Sequence, residues 1–68
     1  MRDQRVFSTK SNIESVGIQK ALKAKDIDFD VIDKTDSAYA SLLGSIDIFV
    51  AERDQSNAEQ VIKDYFKD

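Results

Sequence analysis

Between Ser45 and Ala51 the apolar positions recur with a period of two: Ile46, Ile48 and Val50 alternate with Asp47, Phe49 and Ala51. That is the spacing of a pleated strand with two unlike faces. Three β-branched side chains also suit a half-buried sheet surface better than a helix interior. The run is the most apolar in the chain and is the predicted centre of a sheet. Beyond Ala51 the period changes, and Ala58, Val61, Ile62, Tyr65 and Phe66 fall at i, i+3, i+4, i+7 and i+8, which predicts a helix with one apolar stripe.

Upstream, Arg5 to Thr9 reads as a short strand with Val6 and Phe7 on opposite faces. Ser11 with Glu14 three places on can satisfy the orphan amides of a helix start, and the helix then runs to about Lys25. Its stripe is Ile18, Ala21 and Leu22, but Ile13, Val16 and Gly17 widen the apolar arc beyond a single buried face, leaving part of it exposed or against a partner. Lys23 and Lys25 complement the negative end of this helix. Ile27 to Asp33 predicts a second strand, with Ile27, Phe29 and Val31 on one face and Asp28, Asp30 and an out-of-pattern Ile32 on the other.

Thr35 to Gly44 is a ten-residue connection that holds Tyr39, Leu42 and Leu43 and has room for one helical turn, with Ser37 as its cap and Gly44 as a left-handed stop. Ser56 and Glu59 repeat the Ser-Asn-x-Glu of Ser11 and Glu14, so Ser56 is the predicted cap of the last helix. Two ordinary capping boxes account for the repeat.

The element order is strand, helix, strand, strand, helix. A right-handed crossover between the first two strands leaves a slot into which the Ile46 to Ala51 strand inserts antiparallel to both. The predicted fold is α+β: a split βαββα arrangement with strand order 1-3-2 and two helices on one face, a ferredoxin-like unit short of its last strand. The helices cover Ile46, Ile48, Val50, Phe29 and Val31, and the uncovered face holds Phe7, Phe49 and Ile32 unless the Tyr39 to Leu43 segment folds over it. Phe7, Ile32, Tyr39, Leu42, Leu43 and Phe49 are accordingly the candidate partner-interface residues.

The stretches Val6-Phe7-Ser8, Ile18 to Ile27, Ile46 to Val50 and Ala58 to Ile62 together resemble small prokaryotic domains labelled putative signal-transducing proteins. The resemblance covers about Arg5 to Tyr65 and rests on hydrophobic spacing. It implies a fold and a regulatory label, and no functional residue. Where that family commonly carries a Gly before the second strand this chain has Asp26, so a tight glycine turn is not implied there.

Sixty-eight residues make one domain, 1–68, with residues 1–4 predicted to fray. A chain of this size hides only about 60% of the surface its unfolded form exposes. The usual staples for so small a core are disulfides, a metal or self-association, and with no Cys and no His the last remains. Ten basic residues against thirteen acidic give a net charge of −3 with the cations scattered, which predicts neither nucleic-acid nor membrane binding. The absence of a leader or long apolar run predicts a soluble, cytoplasmic protein.

Asp26, Asp28 and Asp30 imitate the first half of a calcium loop, but position six is Val31 where a Gly is required and position twelve is Ser37 where a bidentate Glu is required. Alternate carboxylates are the ordinary solvated face of a strand, so no metal is predicted. Ser8, Thr9, Ser11 and Ser15 have no His or Cys to activate or replace them, and no motif sets a carboxylate or Lys beside them. The two helix starts could bind an anion, but each carries its own Glu. No catalytic residue and no cofactor is predicted. The expected role is a non-enzymatic binding or regulatory module acting as a homodimer or on another protein, with a small-molecule sensor, a structural accessory domain and a carboxylate enzyme as alternatives.

Overall fold

The computed structural model describes residues 2–34 and 44–67. Its elements are β1 (Gln4–Thr9), α1 (Asn12–Ala24), β2 (Asp30–Asp33), β3 (Ile46–Val50), a 3-10 turn (Glu52–Asp54) and α2 (Gln55–Tyr65). The three strands form one sheet in the order β1-β3-β2, with β3 antiparallel to both neighbours. The split βαββα order and the central place of the Ile46–Val50 strand are those the alternation predicts. Ile18, Leu22, Ile27, Ile48, Val50 and Ala58 form a single buried cluster, so α1 and α2 both lie on the Ile48 and Val50 face.

The register of β1 departs from simple alternation. Arg5 pairs with Phe49 but Phe7 pairs with Ile48, so Val6 is an extra residue, a one-residue β-bulge. Residues directly opposite across a ladder share a face. Phe7 therefore lies on the helix-covered side with Ile48, and not on the open side where strict alternation put it. Val6 and Phe7 both pack against the core cluster. The ring of Phe7 stacks on Phe66 at the end of α2, with centroids 5.8 Å apart.

The start of α1 is capped as expected: Ser11 Oγ accepts from the Glu14 amide at 3.1 Å. The reciprocal half runs through Thr9, whose hydroxyl accepts from the Ser11 amide at 3.0 Å and donates to Glu14 Oε1 at 2.7 Å. The start of α2 corrects the sequence reading. The chain leaves β3 through the 3-10 turn, the helix begins at Gln55, and Ser56 lies inside it, so Ser56 caps nothing. The cap position falls on Asp54, whose side chain makes no capping bond.

At the other end of α1, Asp26 takes a left-handed conformation with φ 57°. The Ile27 amide donates to the Leu22 carbonyl at 3.1 Å and the Asp26 amide to the Lys23 carbonyl at 3.0 Å. This is a Schellman stop, and its apolar pair, Leu22 and Ile27, are both in the core. The left-handed stop expected at Gly44 turns on its bond to Leu43, which lies outside the described residues. The remaining expectations for Thr35 to Leu43 lie outside the described residues.

The second strand is shorter than Ile27 to Asp33, because β3 ends at Val50 and the pairing of β2 reaches only Asp30, opposite Phe49. Ile27 is nevertheless buried and Phe29 packs on the core. Val31 shares a row with Ile48 yet stays exposed at the edge of the sheet.

Candidate functional site

The central strand carries a buried charge that hydrophobic spacing passes over. Asp47 pairs with Ser8 on one side and Ile32 on the other, on the sheet face away from the helices, and is 1% exposed. Ser8 Oγ donates to its Oδ1 at 2.6 Å, and Ser45 Oγ donates to the same oxygen at 2.9 Å. Lys34 Nζ lies 3.1 Å from Oδ2 and forms an ion pair with it. Foremost the Ser8 hydroxyl, then Ser45 and Lys34, hold the carboxyl down at about 2 against the opposing effect of burial. A group so firmly ionised is a poor proton donor or acceptor near neutrality.

The cluster is structural in its geometry. Lys34 and Ser45 flank the connection between β2 and β3, and the Lys34 amide also donates to the Ser45 carbonyl at 2.9 Å. Asp47 thus ties both ends of that connection to Ser8 of β1. The sequence signal was available: an Asp within Ile46 to Val50, two residues after a Ser, is a polar group in the one strand certain to be covered.

Of the predicted interface residues, Phe49 is half-buried and Ile32 is 48% exposed, and both lie on the face opposite the helices. Phe7 does not join them. Tyr39, Leu42 and Leu43 lie outside the described residues. The arc Ile13, Val16 and Gly17 of α1 is at the surface on the helix side, where Ile13 is 85% exposed. Tyr65 of α2 lies over Gly17, in space a side chain there would occupy, and meets Phe66 edge-on at 5.2 Å.

Asp28 and Asp30 line an open polar depression of about 660 Å³ with Asp3, Glu52 and Asp54 and the guanidinium groups of Arg2 and Arg53. Arg2 Nε pairs with Asp30 at 3.0 Å, and that contact strengthens the hold of the guanidinium on its proton. Asp26 is spent on the helix stop. Among the described residues no three carboxylates gather in a group that could hold a metal ion, and no described helix is long and apolar enough to cross a membrane. No family model, curated protein or solved structure matches the chain.

Proposed function

We propose that this chain is a non-enzymatic binding module that acts in regulation through contact with another protein. The observation that carries the reading is the exposure of Ile32 beside Phe49 on a sheet face that neither α1 nor α2 covers. An isoleucine in mid-strand on an open face is surface held ready for contact, and aromatic neighbours such as Phe49 supply area at little entropic cost. The chemistry of the chain supports the same reading. It has no His and no Cys, and among the described residues the one buried carboxylate, Asp47, is held in the ionised state. The resemblance to putative signal-transducing domains agrees with a regulatory role.

Affinity capture from the native cell, run with wild-type chain and with Ile32→Glu, tests this. A protein retained specifically by the wild type and lost with the variant is the expected result. Retention of the same proteins by both chains overturns the open sheet face as the binding surface.

A further inference from the structure

The helix side of the domain carries a second apolar surface that neither the core nor the proposed role uses. Ile13, Val16 and Gly17 share one face of α1 at i, i+3 and i+4. Tyr65 lies over Gly17, and Phe66 adjoins Tyr65. Four large side chains are therefore contiguous there, with Ile13 85%, Val16 40%, Tyr65 46% and Phe66 49% exposed. They leave on the order of 400 Å² of accessible surface. That is as large as the biggest patch on most monomers, which is commonly a site of contact.

We infer that this patch is the face through which two copies of the chain associate. Area is the first argument for a second copy. Pairing the patch with itself hides about 800 Å² from these side chains, and a modest polar rim brings the total to roughly 1,000–1,200 Å², the range of a weak specific dimer. Stability is the second. The described core is small, and of the staples open to a domain of this size the sequence retains only self-association. Symmetry is the third: an isologous contact needs a rim of both signs, and Lys20 follows Val16 by one turn on α1 while Asp64 adjoins Tyr65 on α2. The dimer is weak and concentration-dependent.

The inference rests on the reading that the chain works by binding, but names a different face, so the two fail separately. Sedimentation equilibrium of the full chain from about 10 μM to 1 mM tests it. The expected result is a reversible monomer-dimer equilibrium that Ile13→Glu or Val16→Glu weakens at least tenfold and Ile32→Glu leaves unchanged. Circular dichroism of the dilute variants, identical to wild type, shows that they fold. A strict monomer at 1 mM overturns the inference, as does a dimer indifferent to Ile13→Glu. A dimer abolished by Ile32→Glu alone also overturns it and moves self-association to the open sheet face.

Discussion

Ser8 of the edge strand β1 donates its hydroxyl hydrogen to Asp47 of the central strand across 2.6 Å, and so binds two strands through a carboxylate that is almost wholly withdrawn from solvent. The folded pKa, about 2, lies below the ordinary value of 3.8. Ionised Asp47 therefore favours the folded chain. Its contribution is complete above the unfolded pKa and disappears as pH falls from about 4 towards 2. Urea titrations at pH 7, 4, 3 and 2 should show stability falling across that window. In Asp47→Asn the fall should be shallower and the stability at pH 7 lower by about 1–3 kcal/mol.

The left-handed Asp26 carries a backbone cost that glycine avoids, of about 1–2 kcal/mol for an ordinary L-residue and less for Asp. Part of the gain from Asp26→Gly is offset by the greater freedom of glycine in the unfolded chain. Asp26→Gly should stabilise by about 0.5–1 kcal/mol, and Asp26→Val should destabilise by more than that. Thermal melts of the two variants check both signs.

The two Ser-Asn-x-Glu segments are alike in sequence and unlike in structure. Ser11→Ala removes a capping acceptor and should cost about 1 kcal/mol. Ser56→Ala, inside α2, should change stability by less than about 0.5 kcal/mol. Parallel chemical denaturation of the pair measures the difference directly.

Gly17 is the seat of the Tyr65 ring, because a Cβ there falls on the hydroxyl and the adjoining ring carbon. Gly17→Ala gains about 1 kcal/mol of helix propensity and loses that ring contact, so the two effects nearly cancel. In a Tyr65→Ala background only the gain remains. A double-mutant cycle should give a coupling of about 1 kcal/mol between the positions, and near-UV dichroism of Gly17→Ala should report the displaced ring.

The sheet order and the two helices were legible because β3 and α2 each keep one hydrophobic period through their length. The core positions Ile48 and Val50 of β3 and Ala58 of α2 follow from those periods, and Ile18 and Leu22 from the apolar stripe of α1. The face of Phe7 was not legible, since a single extra residue at Val6 inverts everything after it and leaves no compositional mark. The cap of α2 was misread for a related reason: Ser56 has the right neighbours, but the 3-10 turn from Glu52 supplies helical geometry before the chain reaches it. Nor did periodicity reveal the role of Asp47. An alternating strand assigns it to the polar face, and only the hydroxyls from Ser8 and Ser45 and the ammonium of Lys34 show that this one polar position is buried and ionic.

The supernumerary Val6 has one more effect. Without it, Arg5, Phe7, Ser8 and Thr9 would still meet Phe49, Ile48, Asp47 and Ile46 in unbroken succession, so the ladder inside the molecule survives its removal. To a foreign strand approaching from outside, however, β1 offers an interrupted row of donors and acceptors and makes a poor template. Fibrous aggregation of this chain should consequently nucleate along the margin formed by β2, and trimming Val6 should open the opposite margin to it.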